Sequence, residues 1–159
     1  MRVNLPAGLS AYTARTATAD DTSGVAACVA AAYAHYIDRN GLVPGPMRED
    51  YGEVLRDSQV TVVERSGDIV AVLVLKVAEE GFLLDNVAVD PAHQGKGLGR
   101  WLLAHAESEA RRQSYDSIYL YTQEAMTENL ALYEGTGYVE YARRLEIGLS
   151  RVYLRKQLA

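Results

Sequence analysis

Residues 87–99 read VAVDPAHQGKGLG: a β-rich triplet, an Asp-Pro break, then three glycines alternating with lysine and leucine. The triplet closes the apolar run FLLDNVAV at 82–89, which has the composition of a buried strand. After the glycines, Leu98, Leu102, Ala106 and Ala110 recur at helical spacing, and Arg111 and Arg112 suit the negative end of a helix closing near Gln113. Strand, glycine turn and helix are followed by DSIYLYT at 116–122, which alternates like another strand. A crossover of this kind makes the two flanking strands parallel neighbours.

The same reading extends in both directions. Residues 12–18 form a first strand, and Thr18-x-x-Asp21 is a helix-start signal ahead of the alanine-rich run to about Arg39. GLVPGPM at 41–47 is a loop, and 47–57 is helix-forming with Tyr51, Val54 and Leu55 on one side. Residues 60–65 and 69–77 make a hairpin around Ser66-Gly67-Asp68. Residues 127–134 form a short helix stopped by Gly135 and Gly137, and 138–146 and 151–157 are the last strands. The expected architecture is α/β: a single domain over 1–159, ragged over its first ten residues, with a mixed, mostly antiparallel sheet of about seven strands and about four helices. Strands four and five are the parallel pair.

The glycine stretch selects a ligand. Gln94-Gly95-Lys96-Gly97-Leu98-Gly99-Arg100 can turn sharply and expose successive N–H groups where a helix begins, a site for an anion. A Cβ would hold a phosphate away from the backbone, and Lys96 and Arg100 add positive charge at the rim. The Walker A spacing and its hydroxyl are missing, and the alternation of Gly95, Gly97 and Gly99 fails the dinucleotide fingerprint by one position. A plain strand-to-helix turn would need only one glycine.

Placed between VAV and LGRWLL, Gln94-x-x-Gly97-x-Gly99 resembles the acyl-CoA-binding motif of the GNAT superfamily of N-acetyltransferases, and NLALYEGTGY at 129–138 resembles that superfamily's second signature. The element order is also similar to that fold. The resemblance implies that Gln94, Gly95, Lys96, Gly97, Leu98, Gly99 and Arg100 cradle the pyrophosphate of acetyl-CoA. Main-chain groups of Val87, Ala88 and Val89 would pair with the pantetheine arm, as if it were an added strand, and polarise the thioester in a splayed gap between strands four and five.

Acetyl transfer to an amine also needs a proton for the departing thiolate. The resemblance gives that role to Tyr133, a phenol that is protonated at neutral pH; read without the motif, Tyr133 is rather an amphipathic core residue with its hydroxyl at a surface. Asn129, one turn earlier, can bond the pantetheine or phosphate region, or mark the helix start with Thr127. For the base, some relatives carry a glutamate on the fourth strand, where this chain has only Asp85. By alternation Asp85 shares a face with Val87 and Val89 and can take the amine proton, directly or through water; it is also readable as a turn carboxylate. Other relatives use a glutamate on the fifth strand, where this chain has Tyr121 and Thr122, with Glu124 just beyond. Tyr33, His35, Tyr36 and Asp38, with the loop to Tyr51, are candidates for the acceptor pocket, and helix-face packing explains the tyrosines equally well. Arg143, Arg144 and Arg151 are candidates to read an acidic acceptor, although exposed strand charges more often serve only to discourage aggregation.

Whole-chain properties set the remaining bounds. A formal charge of −5 gives no broad basic field for nucleic acid and favours amine partners. Cys28 is the lone cysteine, and His35, His93 and His105 make no metal pattern, so no metal is expected. No stretch approaches a membrane span and no signal peptide is legible, which points to a cytoplasmic protein without a membrane partner. The acceptor is an amine on a small molecule or on a protein N-terminus or lysine, and a homodimer is compatible with all of this. The rival readings are a catalytically silent acyl-CoA-binding module and a nucleotide-phosphate binder.

Overall fold

The computed structural model describes residues 2–40, 43 and 45–158, with the side chains of 37–40 left aside. Its eight strands lie in one sheet in the order β1-β2-β3-β4-β5-β6-β8-β7. They are β1 Arg2–Asn4, β2 Thr13–Thr16, β3 Gln59–Arg65, β4 Asp68–Ala78, β5 Gly81–Val89, β6 Ser117–Gln123, β7 Val139–Glu146 and β8 Leu149–Gln157. The helices are α1 Thr22–Asn40, α2 Tyr51–Asp57, α3 Leu98–Arg112 and α4 Thr127–Gly135.

The count exceeds the expected seven because Arg2–Asn4, inside the stretch expected to be ragged, pairs antiparallel with β2. Three mostly polar residues carry no hydrophobic alternation; they are held by ladder bonds and by Arg2, whose guanidinium lies 2.8 Å from the Glu64 carboxylate. The parallel pair expected as strands four and five is therefore β5 and β6 in chain order, the same two stretches of sequence. All other strand pairings are antiparallel.

Helices cover both faces. Leu98, Leu102, Leu103, Ala106 and Ala110 of α3 pack on Leu73, Leu75, Phe82 and Leu84. Val25, Cys28 and Val29 of α1 and Tyr51 of α2 pack with Val62, Val72, Val74 and Ala88 on the opposite face. Full burial of one such leucine contributes about 2 kcal/mol.

The entry to α1 is fixed by charge. Thr18 N–H donates to Asp21 at 2.7 Å, and Arg15 from β2 bonds Asp21 at 2.7 and 2.8 Å and Glu64 of β3 at 2.9 Å. Arg15 thereby ties two strands to the helix start, and its hydrogen bonds pull the Asp21 carboxyl down to about 2. A lowered carboxyl contributes stability that is present above its unfolded value of about 4 and lost as the pH falls towards 2. Thermal melts over that window should show a falling midpoint. Asp21→Ala should flatten the acid dependence and cost about 2 kcal/mol at neutral pH; an unchanged melt would remove the network from the fold's support.

Candidate functional site

The site originates in one irregularity of β5. The β4–β5 register shifts between Val74 and Leu75, so that Val74 faces Asn86, Leu75 faces Leu84, and Asp85 is the extra residue of a bulge. Before it, Phe82 and Leu84 point to the α3 side; after it, Val87 and Val89 do. Asp85 and Asn86 consequently both face the α1 and α2 side, lining one cavity with Tyr33, Tyr51 and Tyr121. The expectation that Asp85 shares a face with Val87 and Val89 is thus corrected: alternation fails at the bulge.

The bulge also turns β5 away from β6. The two strands are in register only at Leu83 and Tyr119, and beyond that point they splay. Two cavities occupy the gap and share Tyr33 and Asn129 as a common wall.

The first is a groove lined by Val87, Ala88, Val89, Gln94, Gly95, Gly97, Leu98, Gly99 and Arg100, with His93, Tyr36 and Asn129 opposite or beside them. Gly97 is the N-cap of α3 at φ 97°, and Gly95 has φ 77°, so both need glycine for their backbone. Gly99 has no such need, and a Cβ at Gly95, Gly97 or Gly99 would meet no protein atom within 4 Å. The room a side chain would fill is left open above the first unpaired N–H groups of α3, which fits a phosphate held against the backbone. Arg100 lines the groove, whereas Lys96 is exposed and does not. The Gln94 side chain donates to the Val89 carbonyl at 3.0 Å and fixes the turn. His93, which the sequence reading weighed only as a metal ligand, forms groove wall with its Nδ1 2.8 Å from the Tyr12 hydroxyl.

The second cavity is lined by Asp85, Tyr133, Tyr121, Thr122 and Arg151, together with the exposed Glu49, the buried Tyr51 and Pro46. Burial raises the Asp85 carboxyl above the ordinary range, opposed by Lys76. Glu49 is raised by partial desolvation and by the nearby Asp85 charge. Its carboxylate was missed because 47–57 carries only a helix pattern, and nothing local brings Glu49 to β5. Tyr133 is buried, and burial pushes its phenol well up, so it stays protonated at neutral pH. Its hydroxyl makes no hydrogen bond among the described residues.

Other candidates separate. Tyr33 and Tyr51 line the second cavity, whereas His35 and Tyr36 line the groove. The side chain of Asp38 and residues 41, 42 and 44 of the loop lie outside the described residues. Asn129 donates to the Met126 sulfur at 3.8 Å, and the α4 N-cap is Met126 rather than a residue at Thr127. Glu124 is held by Arg143 at 2.7 Å, and Arg144 by Glu80 at 2.8 Å. Arg151 remains at the cavity, stacked on Tyr121 at 4.8 Å. No group of metal ligands occurs, and no helix is long and apolar enough to cross a membrane, among the described residues.

A glycine-lined groove thus opens through a splayed parallel pair onto a carboxylate- and tyrosine-lined cavity. The family pattern "Acetyltransferase (GNAT) family" matches residues 30–138, and the chain belongs to that family. It is 33% identical over 89 residues to the [Ribosomal protein bS18]-alanine N-acetyltransferase of Escherichia coli (strain K12), covering 56% of this chain and 58% of the relative. It is 31% identical over 127 residues to the mycothiol acetyltransferase of Beutenbergia cavernae, covering 76% of this chain and 42% of the relative. These matches span about half the length of the curated relatives. Among solved structures, the PaiA N-acetyltransferase of Thermoplasma acidophilum in complex with coenzyme A is similar at a TM-score of 0.75 and 15% identity, covering 92% of this chain and 98% of that one.

Gly99 gives the cleanest test of the groove, because neither backbone nor packing requires it. Gly99→Ala should leave the melting temperature unchanged or slightly raised, alanine being the better helix former by up to ~1 kcal/mol. Coenzyme A affinity by calorimetry should fall by ~10-fold or more, since the added Cβ occupies the space kept for phosphate. Undiminished affinity would show that the groove does not bring a phosphate against this backbone.

Proposed function

We propose that the chain transfers acetyl from acetyl-CoA to a primary amine by direct attack in a ternary complex. The observation that carries this is the meeting of the two cavities at Tyr33 and Asn129, which lets donor and acceptor approach from opposite ends of one gap. The family membership, the coenzyme A in a neighbour of the same fold and the acetyltransferase names of the relatives support it. The relatives are named for a protein alanine and for mycothiol, and the acceptor proposed here is an amine of either kind.

Acetyl-CoA supplies an activated thioester, and the chain's own residues do the rest. Gly95, Gly97 and Gly99 with the α3 N-terminus hold the pyrophosphate, Arg100 adds charge, and Lys96 screens it from the rim. Main-chain N–H groups of Val87 and Val89 on the open edge of β5 donate to the arm and to the thioester carbonyl. Asp85 takes the proton of the attacking amine: burial raises its pKa, making it a stronger base than an exposed carboxylate. Tyr133 donates its proton to the leaving thiolate, and burial keeps that proton in place until it is needed. Asn129 lines both cavities beside the arm.

A thiol-release assay over a panel of small amines and peptides, preceded by calorimetry with coenzyme A, tests this directly. Binding without turnover on any acceptor would favour a silent acyl-CoA module, and preference for ATP a nucleotide binder. Tyr133→Phe should lower kcat by ~100-fold while leaving coenzyme A affinity unchanged; unaltered kcat would remove Tyr133 from the mechanism. A base must be ionised, so kcat/KM should rise with pH along a limb lying above the ordinary carboxylate value of about 4. Asp85→Asn should abolish that limb. It should also raise the melting temperature at neutral pH, because an acid with a raised pKa costs stability once ionised. A variant that keeps the limb would exclude Asp85 as the base.

A further inference from the structure

The open edge of β5 poses an accounting question for its backbone. Past the bulge, the Asp90 N–H donates to the Val70 carbonyl at 2.9 Å, so Asp90 and Val70 are a hydrogen-bonded pair of the antiparallel ladder. By the two-residue period, Ala88 and Val72 are the next such pair, and the N–H and C=O of Val87 and Val89 turn to the other edge, towards the splayed gap. That edge would expose two donors and two acceptors in alternation.

Its acceptors are already occupied. The Val89 carbonyl takes the Gln94 side-chain N–H at 3.0 Å. The Val87 carbonyl lies 3.2 Å from the Tyr33 hydroxyl, whose single hydrogen is shared between it and Asn86 Oδ1 at 2.8 Å. Tyr33 is in turn fixed in place. The Asn86 amide donates to the Tyr51 hydroxyl at 3.3 Å, and Tyr51 donates to the Pro46 carbonyl at 2.6 Å. Tyr33, Asn86 and Tyr51 are all buried, so the network is screened from water and its geometry is over-determined. No hydrogen bond from the Val87 or Val89 N–H to this gap occurs among the described residues.

We propose that Tyr33 is a positioning residue for the acyl donor, capping the Val87 carbonyl so that the open edge of β5 offers only N–H groups where the thioester carbonyl lies. The inference rests on the acetyl-transfer reading above and adds to it a residue that neither sequence motif contains. An uncapped carbonyl oxygen beside the Val87 N–H would repel the negative charge that builds on the thioester oxygen during attack. Tyr33 directs its one hydroxyl hydrogen between that oxygen and Asn86 Oδ1, and Asn86 and Tyr51 hold the phenol within reach of the carbonyl. The same chain of bonds reaches Pro46 and α2, so the wall of the acceptor cavity and the donor-binding strand are held by one set of hydroxyls.

The test reads the thioester itself. Infrared difference spectra of acetyl-CoA isotopically labelled at its thioester carbonyl report polarisation as a shift of the carbonyl band to lower frequency on binding. With the unaltered chain the band should shift down; with Tyr33→Phe most of that shift should vanish, while acetyl-CoA affinity stays within about twofold and thiol release with an amine falls by ~10-fold or more. Should the single variant fail to fold, because Asn86 is left buried and half-bonded, Tyr33→Phe with Asn86→Leu removes both partners and should restore folding without restoring the shift. An equal band shift in the unaltered chain and in a folded variant overturns the role of Tyr33. If the unaltered chain binds no acetyl-CoA, the acetyl-transfer reading falls first, and this inference with it.

Discussion

Everything that makes this sheet a site follows from one surplus residue in β5. A regular strand of this length, buried on both faces, would pair with β6 along its whole run, and the core would be closed. The bulge at Asp85 shifts the β4–β5 register and leaves β5 and β6 in contact only at Leu83 and Tyr119. An opened parallel pair is costly because it strips backbone groups of partners inside a protein. Here side chains absorb part of that cost: Tyr33 and Gln94 reach the Val87 and Val89 carbonyls, and the proposed function uses the N–H groups beside them.

The bulge also decides which way the chemistry points. It sets two successive side chains, Asp85 and Asn86, towards α1 and α2, while Val87 and Val89 return to the α3 core. One turn of irregular backbone thus separates a wall that packs, a carboxylate that can accept a proton, and an amide that organises tyrosines. At the other end of the gap, Gly95, Gly97 and Gly99 deliver the strand to the α3 N-terminus with open space above the backbone. The two ends are bound to one another by covalent sequence, only ten residues or so of it, which bounds the distance between the glycine turn and the carboxylate.

Much of this was legible in the sequence where the signal is local. The glycine spacing, the Asp-Pro stop and the helical period of α3 are contiguous, so the turn into the helix could be read directly. Strand order around the crossover followed from handedness and from the lengths of the connections. The bulge could not be read, because Asp85 fits an alternating strand equally well until β4 is laid beside it. The β1 strand was missed because three residues carry no period, and Glu49 because its partner in space is far away in sequence. Tyr33 and Asn86 meet across 53 positions, and no spacing rule reaches so far. Motifs report what the backbone does near a ligand, whereas the side chains that trim the site are set by the packing of distant elements.

Burial is the common cause behind the proposed acid and the proposed base, and it serves them in different ways. Removing water from an acid always favours its neutral form, so Asp85 and Tyr133 both shift upward. For the phenol the shift secures the proton, leaving a neutral donor that gives it up only to a charge forming close by. For the carboxylate the same shift raises basicity, but it also threatens ionisation, which a base needs. An amine arriving as its ammonium form resolves the conflict: its positive charge favours the Asp85 anion, and proton transfer between the two then leaves a neutral acid beside a neutral nucleophile. Neither charge has to persist in the dry cavity. Glu49, raised partly by the Asp85 charge, lines the same cavity and is exposed, so a second carboxylate attracts cations there without having to lose contact with water. The gap opened by the bulge is therefore polarised along its length, with N–H groups and the helix terminus at one end and carboxylates at the other, the order that the proposed donor and amine require.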